Sequence, residues 1–535
     1  MDTSTDYFSL DLQFRGFITG SVIRDKSSGK ELCRYFGGVP YGLPPVGPFR
    51  FLQPRPLPPC YRYGTKASPG IFTGQCSVCP QARPSKYDDE DCLQLNIYVP
   101  CGNPPDEGWP VLFYIHGGFL QFGSANDVNP VALLSETSFK AIMVMPAYRL
   151  NVYGFLASHE LLHEPSNRSG TVGNLGFWDQ RLALHWTYTN ISYFNGNPAN
   201  ITVAGYSAGA HSVFYQLAYD IDYPPEKRII KRVCMLANGP GVQPKSLDEA
   251  QAQFDELLEA LHISSSLPAH EKLRLLRETS QAVLRKAISK LRLHEFRAVT
   301  DGHFVRQVLF KELDDGTFAR KLLQSNVQIW VGESMNEHFV YAMHRRPKNG
   351  ADALHRRFLA DYPRWAVDVL RERYMTNGQL PQGVKSWGEL FGRIYADMQV
   401  HVTERGLVDA LVRGGAGHLI YRYRIEWRSE VSWAQKHHGA THWADDVIWF
   451  FGNGRKLPAE EKRIVAEAFI DEYAKFVKGD ELDWRARGSL EVRRLRSDGA
   501  IDVWTDEWWA NKLDIWRQLQ KACSEQSFAK PTPNL

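Results

Sequence analysis

The chain has 535 residues, of which 43% are hydrophobic and 23% charged, with 63 Lys and Arg against 60 Asp and Glu. That apolar content excludes a disordered polymer, and a formal charge of +3 is too near balance for bulk field to draw nucleic acid or an anionic membrane. Eight cysteines exclude a disulfide scaffold at this length, and the longest apolar runs fall well below the roughly 18 residues that a membrane-crossing helix requires.

The first residues, "MDTSTDYFSLDLQFRG", have no basic segment leading into an apolar one. No secretory signal is read there, so a cytoplasmic protein is expected, with a secreted form whose leader has been removed as the alternative. "FGGVPYGLPPVGPFRFLQPRPLPPC" then imposes turns and extended chain, because Pro can neither donate to a ladder nor continue a helix. An antiparallel flap is expected here, ahead of the main sheet. Cys76 and Cys79 make a C-x-x-C, but no second pair follows and no metal is assigned.

"WPVLFYI" and "AIMVMP" read as strands buried on both faces. "NITVA", "RVCMLA", "VQIWV" and "HLIYRYRI" follow, separated by segments long enough to hold helices. This is the pattern of a doubly wound α/β protein with a large, mainly parallel sheet. Between residues 245 and 295 the period turns helical, with Leu273, Leu276, Val283, Leu284, Ala287, Ile288 and Leu291 on one face and Arg274, Arg277, Arg285, Lys286 and Lys290 opposite. A solvated face over a core stripe is expected, rather than a membrane-surface helix. N-x-S/T matches at Asn167, Asn190 and Asn200 are taken as chance. No repeat divides the chain, so residues 1–535 are expected to form one catalytic domain with helical insertions.

The stretch "NITVAGYSAGAHSVFYQLAY" sets one serine between two glycines where an apolar strand passes into a helix. A chain turning so abruptly at Ser207 needs a strained bend, and Gly205 and Gly209 remove side chains that would collide across it. The helix that starts there leaves unpaired N–H groups, Ala208 first, aimed at an oxygen that turns negative during attack. A helix-capping serine is the plainer reading. A nucleophilic serine needs a base, and spacing alone leaves all 17 histidines open. Upstream, "VLFYIHGGFLQFGS" ends a strand in His116, Gly117 and Gly118, which resembles the HGGG-type loop that supplies further oxyanion donors.

With these motifs, "FGGVPYGLPPVGPFRFLQP", "EDCLQLNIYVP", "YRLNVYGFLAS" and "GNLGFWDQRLALHWTYTNISYFNGNPANITVAGYSAGA" in order, the chain resembles the type-B carboxylesterase/lipase family, the cholinesterase-like branch of the α/β-hydrolase fold. "HGGFLQFGSAND" and "NGPGVQPKS" look most like fungal members. The resemblance implies a large, mainly parallel central sheet flanked by helices, a small N-terminal antiparallel sheet and helical insertions. It also implies a serine esterase that needs no cofactor or metal and acts on a small-molecule ester. The triad it implies runs Ser207, Glu337, His442, with Glu333 as the fallback acid. His338 stands where the family has glycine.

Gly118 and Phe119 are the implied loop donors, joined by Ala208, with Gly117 as their neighbour. Phe119 replaces a glycine and should narrow the acyl pocket. Tyr206 and Leu120 are expected to border the substrate. Tyr206 replaces a glutamate, and the loop before "EDC" has no tryptophan, so choline esters are disfavoured. Cys92 is implied to pair with Cys79 or Cys76, and Arg50 with Glu90 and Arg149 with Asp179 as fold support. Metal binding by His438, His442 and Asp445 is a weaker alternative, because Gly439 interrupts the helix it needs. Two rival functions share the fold: an acyltransferase or cyclising enzyme working through the same acyl-enzyme, and a non-catalytic binding protein.

Overall fold

The computed structural model describes residues 2–167, 170–375, 378–486 and 488–526. Its centre is one sheet whose strands are β1 Thr3–Asp11, β2 Phe17–Asp25, β3 Glu31–Pro40, β4 Gln94–Pro100, β5 Trp109–Ile115, β6 Ile142–Pro146, β7 Gly196–Tyr206, β8 Ile230–Leu236, β9 Gln328–Ser334, β10 Ile420–Ile425, β11 Glu491–Leu495 and β12 Ile501–Thr505. The spatial order is β1-β2-β3-β4-β6-β5-β7-β8-β9-β10-β11-β12, with the short strand Gly70–Ile71 added alongside β2. From β6 through β11 the pairings are parallel. The strands expected as a small N-terminal antiparallel sheet pair antiparallel and continue the edge of the large one, β3 pairing antiparallel with β4.

All residues of β5 and β6 are buried, because helices cover both faces of a parallel sheet. Helix α1 (Leu175–Asn190) and helix α2 (Ala208–Asp220) belong to this cover. The expected helical stretch is three helices, α3 Leu247–Ala260, α4 Ala269–Glu278 and α5 Gln281–Ile288. Ser246 and Glu249 close a capping box at the start of α3. The predicted apolar stripe is buried except Val283, which is exposed because the chain breaks at Thr279 and resets the helical phase at α5. Three of its basic residues are held by acids, Arg277 by Glu164 and Arg285 by Asp88, and Arg274 lies between Glu271 and Glu278.

Arg50 is bidentate to Glu90 and donates to the carbonyls of Arg277 and Thr279, which ties the Pro-rich flap to the inserted helices. Arg149 is bidentate to the buried Asp179. Cys79 is disulfide-bonded to Cys92, while Cys76 stays a buried thiol hydrogen-bonded to Asn96. Asn190 is buried, its amide donating to Trp186 O, so that N-x-S/T match offers no room for a glycan. The Asn167 match runs into residues 168–169, outside the described residues. Among the described residues no helix is long and apolar enough to cross a membrane.

Candidate active site

Ile115 pairs with Gly205 and Tyr206 with Leu236, so β5, β7 and β8 end level and their carboxyl ends form one rim. Open α/β sheets present their chemistry at this rim. Ser207 stands on it with φ 56° and ψ −124°, a backbone conformation that costs about 1–3 kcal/mol and persists only where packing enforces it. The packing is explicit. A Cβ on Gly209 would lie 2.0 Å from Ile115 O, and one on Gly205 2.4 Å from the Gly209 backbone. Ser207 N donates to Leu236 O at 2.8 Å, pinning the turn to β8, and α2 starts at the next residue.

The loop after β5 lies against this turn. A Cβ on Gly117 would come within 2.7 Å of Tyr206 O and 3.1 Å of Ser207 Cβ. Gly118, Phe119 and Leu120 all have positive φ, at 102°, 59° and 62°, and the N–H groups of Gln121 and Phe122 fold back onto Gly118 O. Among the described residues, the N–H groups of Gly118, Phe119 and Ala208 donate to no protein acceptor. The Phe119 ring stacks on His344 at 3.7 Å and 7°, with Phe122 and Tyr395 beside it. Leu120, expected beside the substrate, is 1% exposed; its carbonyl accepts from Asn151 N, so it anchors the loop. His116 stacks on Tyr148, and burial pushes its imidazole down to about 4, leaving it neutral support for the same loop.

Glu337 follows β9 and His442 follows β10. Glu337 Oε2 accepts from His442 Nδ1 at 2.6 Å, and Glu337 Oε1 accepts from Ser334 N at 2.8 Å. The fallback acid is engaged elsewhere: Glu333 is held by Arg405, Arg424 and His401. His338 does not disturb the turn, because it begins a short helix, His338–Tyr341, immediately after the acid. That helix brings the Tyr341 hydroxyl to 3.5 Å from His442 Nε2.

Tyr206, also expected beside the substrate, is 1% exposed and faces the histidine loop. Its hydroxyl donates to Asp445 Oδ1 at 2.5 Å and accepts from Trp443 N at 2.6 Å, and its ring lies 5.1 Å from that of His442. Asp445 also accepts from Trp449 Nε1, so both its oxygens are taken by protein donors and the grouping with His438 and His442 does not form a ligand set. Burial, reinforced by Glu337, raises the Asp445 carboxyl to about 7. Sequence reasoning raised Asp445 beside His442 only as a metal ligand and missed Tyr341 as a site neighbour. Tyr341 was discoverable, since a residue four positions after the acid on a helix shares its face.

An elbow serine, a carboxylate–imidazole pair and unpaired N–H groups on one sheet rim define an α/β-hydrolase. Comparison with known proteins agrees. The "Carboxylesterase family" matches residues 8–504. A "Carboxylic ester hydrolase" of Gibberella moniliformis is 45% identical over 518 residues, 94% of each chain. An "Uncharacterized esterase/lipase" of Schizosaccharomyces pombe is 39% identical over 531 residues, 96% of each chain. The crystal structure of Aspergillus niger EstA has a TM-score of 0.75 at 21% identity, covering 96% of this chain and 98% of that one, a likeness of fold. The chain belongs to the carboxylesterase family.

Proposed function

We infer that the protein hydrolyses a small carboxylic ester through an acyl-enzyme on Ser207. The observation that carries this reading is the contact of Glu337 with His442 Nδ1 at 2.6 Å, on the rim where Ser207 stands in its strained turn. A carboxylate on Nδ1 keeps that nitrogen protonated and leaves the lone pair on Nε2, which takes the Ser207 proton as Oγ bonds to the ester carbon. The carbonyl electrons move to its oxygen, which the free N–H groups of Gly118, Phe119 and Ala208 stabilise, Gly117 allowing their close approach. His442 returns the proton to the leaving alcohol, and water repeats the cycle to free the acid.

Intact-mass labelling with a fluorophosphonate tests this. Wild type gains one adduct and hydrolyses a series of nitrophenyl esters, whereas Ser207→Ala takes no label and His442→Ala labels far more slowly. Unlabelled wild type, or continued turnover by Ser207→Ala, would falsify the assignment.

A further inference from the structure

Tyr341 places an oxygen beside the imidazole of the site: its hydroxyl is 3.5 Å from His442 Nε2. We propose that this hydroxyl is a fourth catalytic group, which holds the alkoxy oxygen leaving in acylation and the water attacking in deacylation. The inference rests on the acyl-enzyme reading above.

Geometry supplies the reason. The leaving oxygen is attached to the carbon that Ser207 Oγ attacks, and it must take its proton from His442 Nε2, so it lies within reach of both atoms. The deacylating water attacks the same carbon and gives its proton to the same nitrogen, so it uses the same point. A hydroxyl 3.5 Å from Nε2 borders that point from the protein side.

The ring is fixed there. Tyr341 is fully buried and packs edge-on against Phe119 at 5.8 Å, with Tyr395 at 5.3 Å and the imidazole of His442 at 4.6 Å. Its short helix starts directly after Glu337, so the acid and the hydroxyl are placed by one turn of chain. Burial holds the phenol well above its ordinary range, so it stays a neutral donor.

The steps balance as follows. In acylation Ser207 Oγ bonds to the carbonyl carbon while its proton moves to Nε2. The carbon–alkoxy bond then breaks and the alkoxy oxygen takes that proton, accepting a hydrogen bond from Tyr341 as its charge develops. In deacylation the water oxygen, held by Tyr341, bonds to the acyl carbon as its proton moves to Nε2; the carbon–Oγ bond breaks and Oγ takes the proton back. Tyr341 keeps its own proton throughout.

Tyr341→Phe keeps the ring contacts and deletes the oxygen. A nitrophenolate leaves without protonation, so its acylation is spared, whereas deacylation and release of alkyl alcohols are not. The variant is expected to take the fluorophosphonate label within about threefold of the wild-type rate. With nitrophenyl acetate, kcat and KM should fall together by about tenfold to a hundredfold, with a new burst of one nitrophenolate per site, and ethyl esters should lose more in kcat/KM than nitrophenyl esters. Turnover within twofold of wild type without a burst, or an equal loss on both ester classes, overturns the proposal. A wild type that takes no label instead removes the acyl-enzyme itself, which separates the two failures. Should the phenylalanine variant not fold, a difluorotyrosine at 341, the same shape with a stronger donor, must raise ethyl ester turnover; unchanged turnover overturns the proposal.

Discussion

Glu337→Gln probes the proposed acid through the tautomer of the imidazole. Two protein donors flank this side chain: Ser334 N meets Oε1 at 2.8 Å and His442 Nδ1 meets Oε2 at 2.6 Å. A glutamine has one acceptor oxygen. The Ser334 N–H cannot change its character, so the amide oxygen stays there; the reverse orientation would set two donors face to face in a fully buried site. The NH2 group then faces Nδ1, which must surrender its proton to accept the bond. The proton resides on Nε2, and no lone pair remains for Ser207. The expected loss is about 10,000-fold in kcat, the size seen when a triad carboxylate becomes an amide. At about 1.4 kcal/mol per decade this is roughly 5 kcal/mol of barrier. Shape and both contacts survive, so the urea midpoint should move little. Steady-state hydrolysis of nitrophenyl acetate beside urea unfolding measures both, and a kcat within tenfold of wild type refutes the reasoning.

Glu333→Gln should behave in the opposite way. It leaves Arg405 and Arg424 buried with less compensation, so stability falls by about 3–5 kcal/mol while kcat of the folded enzyme changes little, as urea unfolding and kinetics on the same sample would show. Phe119→Gly relieves a left-handed φ of 59° and removes the ring stacked on His344. Turnover of bulky acyl esters such as nitrophenyl benzoate should rise relative to acetate by about tenfold, and an unchanged acyl-chain profile would show that the ring does not bound the pocket. Asp445→Asn tests the raised carboxyl. Because burial, then Glu337, lift this group from 3.8 to about 7, the folded chain keeps a proton that the unfolded chain has released between those values. The unfolded state binds fewer protons there, so this group lowers stability as pH rises through that window and adds no further slope above it. The variant's urea midpoint should decline less over the same range; parallel profiles would contradict the assignment.

Ser207 was legible from a short window, because a strained strand-to-helix turn needs its glycines beside it, and the Gly209 contact with Ile115 O explains why no larger residue stands there. The main strands were legible for the same reason: burial on both faces of a parallel sheet leaves unbroken apolar runs such as "WPVLFYI". Glu337 and His442 were reached only through family resemblance, since their contact spans 105 residues and no local pattern encodes it.

Other features were decided by tertiary structure alone. Cys76 stayed an alternative to Cys79 as the partner of Cys92 until the fold set Cys76 beside Asn96 and Cys79 beside Cys92. Tyr206 and Leu120 were expected to face substrate, yet packing turned one onto Asp445, 239 residues away, and the other onto the loop it anchors. Sequence by itself determined which backbone turns, buried strands and reactive residue types this protein has, because those depend on neighbours a few positions away. Which side chains share a proton or border the ester depended on the sheet bringing distant loop ends to one rim, a matter of three-dimensional distance that spacing along a chain does not contain.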